Sequence, residues 1–250
     1  EGLAAGVAHE DARRVGVKPE KADGRAHHRR AEDGELAGVG HVRDAQELRE
    51  LRVPEPLLRK GGTRAAELTN VSIACPELCP RYTARVLRGV KVGASPQWLV
   101  DRLATIGAPS INNVVDVTNY VMMECGQPLH AFDFAKLAGP EITVRSAEAG
   151  EQFEAINHKI YELDAGMCVI ADAERAFALG GVMGGAETEV SETTRDVLIE
   201  AADFAPLSIR TTARRLTLHS PSSYRFERGV DPRGVEWASR RCCELILELG

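Results

Sequence analysis

The first seventy residues contain no Phe, Trp, Tyr, Ile, Met or Cys. They are mostly Ala, Gly, Glu and Arg, with a small basic cluster at Arg25, His27, His28, Arg29 and Arg30. A segment with so little large apolar surface has nothing to offset the entropy of ordering its chain. Residues 1–70 therefore read as a low-order extension, disordered or loosely helical. Stretches such as 44–52 (DAQELRELR) are expected to form short exposed helices. A second reading stays open: an upstream frame error in a GC-rich gene yields the same Ala/Arg/Gly-heavy composition.

The chain also has no apolar run near the roughly 18 residues that a membrane span needs. Its start, EGLAAGVAHEDARR, lacks the apolar core of a signal peptide. It begins with Glu rather than Met, which reads as a fragment. Net charge is -6, so the chain as a whole is no generic polyanion binder. A role on RNA would require a local basic surface. The six cysteines include no CxxC pair, so no metal site is expected and the thiols are read as buried. A reducing, cytoplasmic setting fits them best.

From Val71 onward the composition changes, and every aromatic residue lies there. Residues 81–92 (RYTARVLRGVKV) read as a strand pair or one long strand. Ser95 and Pro96 open a helix whose apolar face is Trp98, Leu99, Leu103 and Ile106, and Gly107 stops it. Residues 114–117 read as a short buried strand and 118–125 as a helix ending at Gly126. Strands are expected over 141–146, 167–171 and 197–200, and a hairpin turns at Asn157-His158. Residues 176–185 pass from strand into a glycine loop, while 206–218 and 231–249 read as helices. Strands and helices alternate irregularly, without βαβ units, so the fold class is α+β.

Four segments carry candidate chemistry. In Gly126–Asp133 (GQPLHAFD), Gly126 and Pro128 make a rigid extended loop that presents His130. That histidine can hold or polarise a water at neutral pH, or simply bond to backbone. The glycines of residues 180–185 (GGVMGG) allow close backbone approach to a ligand or an oxyanion, but a plain hairpin or bulge fits them equally. Glu200 ends an apolar run and needs a donor, either an arginine of the fold or a ligand hydroxyl. Residues 218–231 (LHSPSSYRFERGVD) read as a polar loop leading into a helix. Between Ser208 and Val230 there are five Arg against one Glu. Arg210, Arg214 and Arg215 fit a phosphate-contacting surface, whereas Arg225 and Arg228 fit internal pairing with Glu227 or Asp231. No GxSxG elbow, Walker loop, HExxH or Cys/His signature is present, so any hydrolysis must rely on a positioned water.

Taken in order, four motifs resemble one family. They are Cys79-Pro80-Arg81-Tyr82-Thr83-Ala84-Arg85, residues 112–121 (NNVVDVTNYV), the Gln127 to Asp133 loop, and residues 223–232 (SYRFERGVDP). Together they resemble the central editing region of the bacterial phenylalanyl-tRNA synthetase beta subunit, over residues 71–250. The resemblance implies a three-layer α+β fold with an unusual β-sandwich and flanking helices. It implies a cytoplasmic α2β2 enzyme that joins phenylalanine to tRNA(Phe) using ATP and Mg²⁺, with the ligation site in the alpha subunit. The region seen here would need no cofactor of its own and would hydrolyse mischarged Tyr-tRNA(Phe). A pocket built for Phe rejects one added hydroxyl only by roughly 10², so a second site must do the sorting.

By the same resemblance, Glu200 accepts the tyrosine phenol proton and His130 lies near the ester. Gly184 shapes the pocket floor, Asn119 helps hold the amino acid, and Ser220 and Ser222 line the wall. The sequence also departs from the family. Ser220 stands where Thr is common, and Ser222 where Ala is common. Pro109-Ser110 replaces the usual Arg-Pro, and Asn157-His158 an expected Asp-Gly. The family's N-terminal modules, and those that bind the alpha subunit and the anticodon stem, are not seen. The alternative function is a non-catalytic fragment that binds tRNA or packs in a complex.

Overall fold

The computed structural model describes residues 4–11 as backbone, and residues 53–250 except 59, 60 and 62. The expected helix over 44–52 and the basic cluster at 25–30 lie outside the described residues. The chain divides into two compact units, Glu1–Arg14 with Pro56–Gly250, and Val15–Glu55. Only residues 53–55 of the second are described.

The strands of the first unit are β1 (Ala4–Asp11), β2 (Asn70–Ile73), β3 (Arg81–Arg88), β4 (Leu129–Asp133), β5 (Glu141–Ser146) and β6 (Gln152–Glu154). They continue with β7 (Ile160–Glu162), β8 (Cys168–Ala171), β9 (Ala176–Leu179), β10 (Met183–Gly184) and β11 (Val197–Asp203). The helices are α1 (Gln97–Thr105), α2 (Asn113–Cys125), α3 (Pro206–Arg215), α4 (Pro221–Phe226) and α5 (Gly234–Leu249). One sheet has the order β1-β3-β11-β4 and is antiparallel throughout. A second has the order β10-β9-β8-β5-β2, with only β2 and β5 parallel. β6 and β7 form a separate hairpin.

The first sheet is the middle of three layers, as its alternation requires. Along β11, Val197, Ile199 and Ala201 join a cluster with residues of α1, α2 and α5. Leu198 and Ala202, one residue out of phase, join the cluster that contains Ile142, Val144, Val169 and Leu179 of the second sheet. β3 divides likewise. Tyr82, Ala84 and Val86 face the second sheet, and Leu87 faces the helices. Arg85 points the same way as Leu87 and is buried, bonded to Ser239 Oγ at 2.9 Å and ion-paired with Glu236. The α+β, three-layer expectation therefore holds. Where residues 1–70 read as low-order, Ala4–Asp11 adds an edge strand to β3.

Three local readings need correction. The expected strand at 114–117 is the first turn of α2. The Asn112 side chain caps it by accepting from Val114 N and Val115 N, and Val114, Val117 and Val121 bury at helical spacing. The β-branched run suggested a strand, but the cap and the 3.6-residue period prevailed. His130 sits on a strand, β4, rather than in the loop expected for 126–133; that loop ends at Pro128. The expected loop at 218–231 contains α4, opened by a capping box between Ser220 and Ser223.

Boundaries shifted too. Pro96, not Ser95, is the N-cap of α1, because the Ser95 hydroxyl donates to the buried Asp116 carboxylate at 2.5 Å. Gly126 does end α2, in a left-handed conformation (φ 80°) that an L side chain resists. The Asn157-His158 turn closes the β6–β7 hairpin, with His158 at φ 58°. No helix among the described residues is long and apolar enough to cross a membrane.

Candidate functional site

β11 and β4 bring together two residues far apart in sequence. Their antiparallel register sets Glu200 directly opposite His130. The pleat turns both toward the second sheet, where they line one pocket. The pocket holds about 380 Å³ including its open mouth. Ile170, Leu179, Met183 and Phe226 give it apolar walls, and Gly184 forms part of its floor.

Gly184 has a steric reason. A Cβ built there would lie 2.3 Å from His130 Nε2 and 2.5 Å from its Cε1. Any side chain at this position must displace the imidazole. The neighbouring backbone is held as a hairpin. Gly180 N–H donates to Cys168 O at 2.9 Å, Val182 N–H to Leu179 O at 3.0 Å, and Gly185 N–H to Phe177 O at 2.9 Å. Of the two readings of the glycine segment, these bonds favour the hairpin, since three of its N–H groups are already committed.

Glu200 is 7% exposed. Among the described residues its carboxyl makes no ion pair, and the buried Arg85 points to the opposite face of the sheet. Burial pushes its pKa up to about 8, against a partly opposing effect of the Tyr82 hydroxyl. That hydroxyl is fully buried, yet among the described residues it makes no hydrogen bond of acceptable geometry. His130 is half-buried, and among the described residues its ring makes no hydrogen bond. Burial pushes its pKa down to about 4. Near pH 7 the imidazole is therefore neutral and Glu200 is largely a carboxylic acid.

Of the other predicted residues, Ser222 lines the pocket. Ser220 does not. Its hydroxyl donates to Val182 O at 2.7 Å and accepts from Ser223 N–H, tying the glycine hairpin to the start of α4. Asn119 is also outside the pocket lining, on α2, which packs against the helical face of the first sheet. Arg210 and Arg214 are exposed one turn apart on α3, and among the described residues neither has an ion-pair partner. Arg215 pairs with Asp164. Arg228 pairs with Glu227 and stacks 3.6 Å from the Tyr224 ring centre. Arg225 departs from the expected pairing, since its guanidinium donates to Pro221 O and Met123 Sδ rather than to an acid.

Sequence reading missed Tyr82, Ile170, Met183 and Phe226 as parts of the site. Only Tyr82 carried a signal: a tyrosine in a strand buried on both faces needs a partner for its hydroxyl. Among the described residues, no group of three His, Cys, Asp or Glu side chains is arranged to hold a metal ion.

A family model described as the B3/4 domain matches residues 78–250. The phenylalanine–tRNA ligase beta subunit of Rhodopirellula baltica is 56% identical over 216 residues, covering 84% of this chain and 32% of that protein. The subunit of the same name from Anaeromyxobacter dehalogenans is 49% identical, covering 86% of this chain and 27% of that protein. These shares exceed what residues 71–250 alone can supply, so both matches reach back into the first seventy residues. The chain thus spans about a third or less of the relatives it matches. A solved N-terminal fragment of the phenylalanyl-tRNA synthetase beta subunit from Pyrococcus horikoshii aligns at 13% identity with a TM-score of 0.43, over 71% of this chain and 52% of that one, a likeness too slight to build on. The chain belongs to the B3/4 domain family, in the form in which it matches phenylalanine–tRNA ligase beta subunits.

Proposed function

We propose that the pocket removes tyrosine from mischarged Tyr-tRNA(Phe) by hydrolysing the ester between the amino acid and the terminal ribose. One observation carries this reading: Glu200 is a buried carboxyl with no ion-pair partner among the described residues, facing a pocket with apolar walls. Such a group gains most from a ligand that brings its own hydroxyl. Tyrosine supplies that hydroxyl and phenylalanine does not, which is the sorting a ligase for phenylalanine needs.

The chemistry follows from what the pocket offers. Water attacks the ester carbon, the bond to the ribose oxygen breaks, and the products are tyrosine and the free terminal hydroxyl. A neutral imidazole with a pKa near 4 is a weak base, so His130 orients the water or the ester oxygen rather than removing a proton outright. The vicinal ribose hydroxyl of the substrate would relay that proton. Gly184 leaves the imidazole its room. Arg210 and Arg214, exposed and without acidic partners among the described residues, suit phosphates of the tRNA acceptor end. In the complete α2β2 synthetase this region works in the cytoplasm beside an alpha subunit that uses ATP and Mg²⁺.

The test is deacylation of Tyr-tRNA(Phe) against Phe-tRNA(Phe) by the purified chain, with Glu200→Ala as control. Preferential release of tyrosine, lost in the variant, is the expected result. Equal rates for both esters, or an unaffected variant, would overturn the reading.

A further inference from the structure

A buried hydroxyl without a hydrogen bond of its own among the described residues lies beside the carboxyl that lines the pocket. Tyr82 is diagonal to Glu200 across the β3–β11 pair, since Ala202 pairs with Tyr82 and Glu200 with Ala84. Diagonal neighbours on one sheet face are within reach of long side chains. Tyr82 is 0% exposed and, among the described residues, its hydroxyl makes no hydrogen bond of acceptable geometry. Leaving a buried hydroxyl unpaired is costly, and an apolar ring of the same shape would fill the site equally well. The other titratable groups around Glu200 are the thiols of Cys79 and Cys168, Asp203 further along β11, and His130 across the strand pair. None of them is a better donor to a carboxylate than the phenol of Tyr82.

We propose that Tyr82 is a positioning residue for the pocket: its hydroxyl donates to the inner carboxyl oxygen of Glu200 and turns the outer oxygen toward the ligand hydroxyl. The inference rests on the reading of the pocket given above. The terminal torsion of a glutamate is soft, so a small rotation closes this bond once a ligand engages the other oxygen. The donated bond favours the ionised carboxylate, which accepts a phenol proton more strongly than the acid does. The selecting group is then a phenol–carboxyl couple rather than a lone glutamate.

The test compares the full chain as wild type, Tyr82→Phe and Glu200→Ala. Release of tyrosine and of phenylalanine from tRNA(Phe) is measured from pH 6 to pH 9. Tyr82→Phe is expected to lower the preference for tyrosine by roughly tenfold, the scale of a hydrogen bond to a charged group. It is also expected to move the pH midpoint of that preference upward, with an unfolding midpoint equal to or above that of wild type. A purely structural hydroxyl would change stability and leave the pH midpoint in place. Replacing Tyr82 with 3-fluorotyrosine keeps the packing and strengthens the donor, so its midpoint should move the opposite way. The inference is overturned if both Tyr82 variants keep the wild-type preference and pH profile while Glu200→Ala loses the preference. If Glu200→Ala also changes nothing, the reading of the pocket fails first, and Tyr82 falls with it.

Discussion

Replacing Glu200 with Gln should make the protein more stable, increasingly so as pH rises. In the unfolded chain the carboxyl titrates near 4.5, and in the fold near 8. Between those values the folded state holds a proton that the unfolded state releases, so wild-type stability falls as pH rises across this window. Each pKa unit is worth about 1.4 kcal/mol, so ionising Glu200 costs the fold about 3 kcal/mol at pH 7 and approaches about 5 kcal/mol above pH 8. Gln cannot ionise and escapes this term. Any constant cost of its amide is the same at every pH, so the informative quantity is the change in the difference between the two proteins. That difference should grow by about 4 kcal/mol from pH 5 to pH 9. His130 titrates in both proteins and cancels. Urea unfolding of the pair at five pH values measures it. Parallel stability profiles would refute the argument, because they would mean that Glu200 is solvated or paired in the fold. The same substitution should erase the preference for tyrosine, a gain in stability at the expense of function.

Other consequences are as direct. Gly184→Ala places a methyl group 2.3 Å from the His130 ring nitrogen, so hydrolysis should drop by tenfold or more while circular dichroism shows an intact fold. Ser220→Ala removes the cap of α4 and the bond to Val182 O, and should cost about 1–2 kcal/mol in thermal unfolding, with a secondary loss of activity. Changing Arg210 and Arg214 to Gln should weaken tRNA binding and reduce its salt dependence without altering amino-acid release from a minimal ester, as a titration at two salt concentrations can resolve. Cys125 is the one exposed thiol of the six, so a thiol reagent should modify it first and reach the other five only on unfolding.

Much of the local architecture was readable in advance. The change of composition near residue 70, the stop of α2 at Gly126 and the hairpin at Asn157-His158 rest on side chains and backbone preferences confined to a few neighbouring residues. The fold class came from the irregular interspersion of strands and helices, and the family from the order of four motifs. Local reading failed where two local signals competed. At 114–117 a β-branched run suggested a strand, yet the Asn112 cap and the helical spacing of Val114, Val117 and Val121 decided the matter.

The site itself belongs to tertiary structure. His130 and Glu200 were each legible as candidates, but their pairing depends on the register of β4 against β11. Register is a long-range property, and β11 is buried on both faces, so its apolar pattern does not announce which face carries the pocket. Three further facts arise only where separate elements meet. Among the described residues Glu200 has no arginine, and the buried Arg85 is committed on the other face of the sheet to α5. Ser220 ties α4 to the glycine hairpin instead of lining the wall. The Tyr82 hydroxyl lies buried beside the Glu200 carboxyl, without a well-formed bond among the described residues. The sequence alone named candidates for the chemistry, His130 and Glu200 among them. The packing of two sheets decided which of them share a pocket, because burial and pairing depend on neighbours that the linear order does not supply.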